Sequence, residues 1–154
     1  MIVEMIQSML APGLMISACG LLLLGMNNKY SLVVNRIRLL NDEKRKVLSR
    51  YAASDETTSD NIRLESITRQ LDKLVFRVKL VKNAVLFYTL AVSLFIFTSI
   101  LIGLRLLLQE DSLSSLIMIV FLVGMVLVLI GAFFAAYETV KGFEIINLEV
   151  DIDN

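Results

Sequence analysis

The sequence predicts an all-α membrane protein: three transmembrane helices, with a long antiparallel cytoplasmic helical hairpin between the first and the second. Three observations carry this. Apolar residues make up 56% of the 154, more than a soluble domain of that length can bury in one core. Thirteen of the fifteen basic residues fall between Lys29 and Lys82, and such a block marks a segment retained in the cytoplasm. From Gly25 to Gly103 there is no intervening glycine or proline, so little in that interval has to break a helix.

The elements follow in chain order. A helix needs roughly 20 apolar residues to cross about 30 Å of hydrocarbon. Residues 1–26 supply an outer N-terminus and a first span from about Met5 to Met26. Met1 to Leu10 lacks a positive leading region and carries Glu4, so it does not read as a cleavable signal. Pro12 either kinks this helix or marks its true start, with residues 1–10 then interfacial.

Residues 27–83 form the predicted hairpin. Its turn is expected near 53–60, where Ser, Asp and Thr favour turns and N-caps. On the first arm Val33, Ile37, Leu40, Val47 and Tyr51 keep a heptad that Lys44 interrupts. On the second, Leu64, Ile67, Leu71, Leu74, Val78 and Val81 repeat without a fault and run on to Val85. Such narrow stripes are coiled-coil seams, and they suit helix pairing better than a broad face lying flat on anionic lipid. The arms would extend about 39 Å and about 35 Å, matched lengths that favour an antiparallel pair.

Residues 84–136 supply the second span, about Ala84 to Leu108, and the third, about Leu113 to Ala136, with an outer turn near 109–112. Arg105 stands close enough to the outer end to snorkel to the interface. Residues 137–154 then read as an acidic cytoplasmic tail. The loop charges put the N-terminus outside and the C-terminus inside.

Small residues mark helix contacts in lipid, where missing side chains let backbones approach. Gly13, Ser17 and Gly20 share one face of the first span, and Gly124, Gly131 and Ala135 one face of the third. Both are read as packing faces, within one subunit before between subunits. A second stripe on the first helix steps through Glu4, Ser8, Ala11, Met15, Ala18, Leu22, Gly25 and Lys29 to Arg36. An acid stands outside, an apolar throat in the middle and bases inside. Around an axis of several copies this stripe would line a pore with a hydrophobic constriction, although any N-out span tends to the same charge order. Tyr88, Thr89, Ser93, Thr98 and Ser99 are expected to bond backbone or bridge helices rather than to bind substrate.

Chemistry is bounded mainly by what is missing. With no histidine and one cysteine, Cys19, no Cys/His metal site or intrachain disulfide is expected. Span interiors without Asp, Glu, His or Lys count against a pump or coupled transporter. No nucleophile–base pair or phosphate loop occurs, so neither an enzyme nor a cofactor is expected. Acids such as Asp42, Glu43, Glu65 and Asp72 alternate with the arm bases, which reads as solvated helix surface rather than a nucleic-acid site.

The run Ala11-Pro12-Gly13 through Leu21-Leu22-Leu23-Leu24, then Asn27-Asn28-Lys29-Tyr30 and Asn35-Arg36-Ile37-Arg38-Leu39-Leu40, resembles the N-terminal signature of a bacterial family described as domain of unknown function 2721. The resemblance covers roughly the first third of the chain and implies a three-span bacterial inner-membrane protein. After the third span, Glu138, Glu144 and Glu149 replace the basic residues usual in that family. In topology the chain is also similar to the proton-channel subunits of outer-membrane energy transducers, which assemble as rings, but it lacks their intramembrane acid.

The expectation is therefore a homo-oligomeric bundle in the lipid bilayer of the bacterial inner membrane, with an ion-permeable path along the first helix. The alternative is a non-conducting scaffold or accessory subunit whose hairpin binds a cytoplasmic protein partner.

Overall fold

The computed structural model describes the backbone of residues 2–51, 58–108 and 112–152, and side chains within residues 3, 6–50, 62–108 and 112–142. The described regular structure is all helical: α1 (Ile2–Tyr51), α2 (Thr58–Leu108) and α3 (Leu113–Ile152). Each is long and apolar enough to cross a membrane. Of the predicted turns, Thr58–Asp60 already belong to α2, and residues 52–57 and 109–111 lie outside the described residues. The side chains of Glu4 and Tyr51 lie outside them as well.

Two helix limits go beyond what the sequence reading fixes. Pro12 stands inside α1 and is fully buried, so residues 2–10 belong to the same helix and Pro12 does not mark its start. Helix α3 runs past the apolar span ending near Ala136, to Ile152. Residues 137–152 contain no glycine or proline other than Gly142, and nothing there compels a C-cap.

Helix α2 lies between the other two, packing extensively on both, whereas α1 and α3 meet at very few points. Along the pair α1/α2 the shared clusters run in opposite order. Cys19 packs with Ala91 and Phe95, Met26 with Val81, Ala84 and Tyr88, and Val33, Leu40 and Val47 with Ile67 and Leu74. The buried residues of α1 from Pro12 through Cys19, Met26, Val33, Leu40 and Val47 recur every seven positions. On α2, Ile67, Leu74, Val81, Tyr88, Phe95 and Ile102 do the same. A strict seven-residue repeat keeps one seam facing its partner over many turns.

The side chains along that seam change with their surroundings. In the arm they are aliphatic, because in water each buried Leu or Val contributes about 1.5–3 kcal/mol. Within the apolar spans lipid is as apolar as leucine, and close approach matters more than burial. There the contacts are rings on backbone. A Cβ on Gly124 would stand 2.8 Å from a Phe95 ring carbon, and one on Gly131 would stand 2.9 Å from a Tyr88 ring carbon. Phe95 and Phe121 add a tilted ring pair, and Phe87 stacks on Phe134.

Candidate functional site

Among the described residues, the charged group buried between the three helices lies just past their apolar runs. Glu138 of α3 is 1% exposed, two residues beyond Ala136. Arg77 of α2 donates from Nε and Nη2 to its Oε1, at 3.2 and 2.7 Å. Lys29 of α1 donates from Nζ to its Oε2 at 3.0 Å, and also to the Thr139 hydroxyl at 2.8 Å. Each carboxylate oxygen thus has its own cation. Thr139 in turn donates to the Ala135 carbonyl at 3.0 Å.

Local sequence explains the geometry. Glu138 continues the seven-residue line of Gly124 and Gly131 on α3, so the face that admits rings within the spans admits two cations at their edge. Gly142, one turn on, leaves the space that the guanidinium occupies, since a Cβ there would be 2.8 Å from Arg77 Nη2. Lys29 follows Met26 by three residues and so stands about one turn farther along α1, beside the buried seam. Because α1 and α3 otherwise scarcely touch, this carboxylate ties the two outer helices to each other as well as to α2.

The arrangement suits holding better than reacting. A buried ionised carboxylate is tolerated when charged donors satisfy it, and two cations on one acid leave an excess of one positive charge. Its acceptors are engaged, so it is not poised to take a proton or attack a substrate. Arg77 and Lys29 keep side-chain exposures of 23% and 43%, so their far sides are open at the protein surface.

The residues singled out from sequence fall into distinct places. The arm residues Val33, Leu40, Val47, Ile67 and Leu74 form one buried cluster, with Ile37, Leu64, Leu71 and Val78 packed against it. Val81 belongs to the next cluster. A surface ion pair, Arg63 Nη2 to Glu43 Oε1 at 2.6 Å, flanks the arm. The two small-residue faces do not meet. Gly124 and Gly131 lie under rings of α2, and Ala135 packs beside Tyr88 and Met26, while nothing comes within 4 Å of a Cβ built on Gly13 or Gly20. Ser17 is exposed and donates to the Gly13 carbonyl at 3.2 Å. On the candidate pore stripe, Ser8, Ala11, Ala18, Leu22, Gly25 and Arg36 are exposed, whereas Met15 packs against the Cys19 cluster and Lys29 turns to Glu138. Thr89, Ser93, Thr98 and Ser99 all donate to backbone carbonyls one turn back in their own helix.

Sequence reasoning missed Glu138 and Arg77 as a site, because an acid past a span reads as tail. The signal available was phase: position 138 stands seven residues beyond Gly131 and fourteen beyond Gly124, on a line whose other members contact a neighbouring helix.

No curated protein and no solved structure matches the chain. A family model does, and its match reaches well beyond the first third and takes in Lys29, Arg77 and Glu138. With residues 9–148 matched, the chain belongs to the family described as protein of unknown function (DUF2721).

Proposed function

We propose that this protein is a homo-oligomeric helical bundle of the bacterial inner membrane, with its N-terminus outside and its C-terminus in the cytoplasm. The α1/α2 arm is a cytoplasmic antiparallel hairpin, because it carries the basic block and positive loops stay inside. In this reading the protein catalyses no covalent reaction. The observation that supports assembly is the uncovered face of α1. Gly13, Ser17 and Gly20 have the composition of a packing surface, yet among the described residues none lies on them, whereas Gly124 and Gly131 of α3 are covered by rings.

Around the assembly axis, Ser8, Ala11, Ala18, Leu22 and Gly25 are the candidate wall of an ion-permeable path with a hydrophobic constriction. A second reading, a non-conducting scaffold whose arm binds a cytoplasmic protein, is favoured by Lys29. Its ammonium is held by Glu138 and Thr139 of its own chain, which draws the inner positive charge away from such a wall.

Two measurements separate these readings. Mass determination of the protein in lipid nanodiscs is expected to give a fixed copy number above one, and a monomer refutes the assembly. Reconstituted protein is expected to conduct ions, with a conductance that changes on Leu22→Ser or Glu4→Gln. An impermeable oligomer leaves the scaffold.

A further inference from the structure

Both α1 and α2 carry a second seam that stays exposed among the described residues. On α1 it runs Ala11, Ala18, Gly25, Leu32 and Leu39, spaced by seven and all exposed. On α2 it runs Ile62, Phe76, Leu90, Phe97 and Leu104, on the same seven-residue grid, with Arg69 and Asn83 at the two intervening positions. Leu32, Leu39 and Ile62 are 70%, 65% and 67% exposed, and Phe76 is 47% exposed. These four belong to the arm. Leu39 stands thirteen residues past Met26, about 20 Å beyond the apolar span along the helix, where hydrocarbon does not reach.

We propose that copies of this chain associate head to tail, the second seam of α1 in one copy lying along the second seam of α2 in the next. The proposal rests on the homo-oligomeric reading above and adds a contact on a different side of α1 from Gly13, Ser17 and Gly20.

Three features favour a second copy as the occupant. First, the seams match in height. The antiparallel register that groups Val33 with Leu74 and Cys19 with Ala91 puts Leu32 level with Phe76, Ala18 with Leu90 and Ala11 with Phe97, to within about a residue. Copies in one membrane share those heights, so the residues meet without any vertical shift. Second, the sizes interlock. Within the spans α1 offers Ala11, Ala18 and Gly25 while α2 offers Leu90, Phe97 and Leu104, the small-against-large pattern already seen where Tyr88 and Phe95 lie on Gly131 and Gly124. In the arm, where water supplies a hydrophobic drive, the α1 seam changes from small residues to leucine. Third, Arg36 and Asp72, both exposed, stand at the same height beside the two seams. A symmetric α1-on-α1 contact would instead set Arg36 against Arg36, and like charges disfavour it.

A contact between two different faces is heterologous, and it closes a ring when the rotation per copy divides a full turn. It takes Ala11, Ala18 and Gly25 out of any conduit wall and leaves Ser8 and Leu22 beside it.

The test co-expresses two differently tagged full-length chains in membranes, one carrying Leu32→Cys and the other Phe76→Cys, followed by mild oxidation. Cys19 stays in place, because it is buried and a wild-type control measures its background. A mixed cross-linked dimer is expected from the pair, with little self-product from either chain alone. A second pair, Ala18→Cys with Leu90→Cys, repeats the measurement if one variant fails to fold. A single-copy mass in nanodiscs overturns both the oligomer and this contact. An oligomer that gives no mixed product from either pair overturns the contact alone. Self-product from Leu32→Cys makes the contact symmetric and overturns it too. Quenching by brominated lipid of a fluorophore attached to the Leu39→Cys variant lays the arm on the bilayer, with the same consequence.

Discussion

Removing Arg77 should cost far more stability than removing Lys29, although both cations touch the same carboxylate. The asymmetry follows from exposure. The Glu138 side chain is 1% exposed and that of Arg77 is 23%, whereas that of Lys29 is 43%. In Arg77→Met the carboxylate stays buried with the half-hydrated Lys29 as its cation, and breaking a buried pair from one side costs about 3–5 kcal/mol. In Lys29→Met the more buried partner persists, and the lost pair has the character of a surface ion pair, worth about 0–1 kcal/mol after screening. Glu138→Gln lies between, at about 2–3 kcal/mol, because Arg77 and Lys29 can hydrate from their exposed sides while losing charge-assisted bonds. The double variant Arg77→Met with Glu138→Gln should be more stable than Arg77→Met alone, since it leaves no unpaired buried carboxylate. The assay is reversible unfolding in mixed detergent micelles followed by far-ultraviolet circular dichroism, run as a double-mutant cycle. Equal losses for Lys29→Met and Arg77→Met, or a double variant whose loss is the sum of its singles, would refute the reasoning.

Other perturbations have equally definite outcomes. Gly131→Ala forces its methyl against the Tyr88 ring and should destabilise by about 1–3 kcal/mol, with part of the loss restored by Tyr88→Leu in the same unfolding assay. Leu40→Ala empties the arm core and should cost about 2–5 kcal/mol. Its exposed neighbour Leu39→Ala should change monomer stability by no more than about 0.5 kcal/mol while weakening association measured by mass. Gly142→Ala crowds the guanidinium of Arg77 and should reproduce a fraction of the Arg77→Met loss, which Arg77→Met itself should abolish in the double variant.

Much of the architecture is legible in the sequence because it is written in period. Three apolar runs of spanning length are composition alone, and Val33, Leu40, Ile67 and Leu74 are spaced so that a helix must present them on one side. The end of α3 was less legible, since a hydropathy fall after Ala136 marks where lipid ends and says nothing about where helix ends. Pairing between faces was the least legible. Gly13 and Gly131 look alike as small residues in spans, yet one is uncovered and the other lies under Tyr88. What separates them is the size of the side chains on another helix, a property of two segments together. Glu138 was hidden for a related reason: whether an acid is solvated or clasped depends on Lys29 and Arg77, more than sixty residues away in sequence.

Helix α2 passes the Glu138 cluster without a glycine or proline on its arm side, and this has a mechanical consequence. Of its 51 residues, 19 precede Arg77 and 31 follow it, so it is a lever roughly 76 Å long, pivoted about two fifths of the way along. With the pivot clamped to α1 and α3 by one carboxylate, a tilt of about 10° in the spans would sweep the far tip of the arm, about 28 Å away, through about 5 Å. A load on the arm tip would be felt in the spans through the same fulcrum.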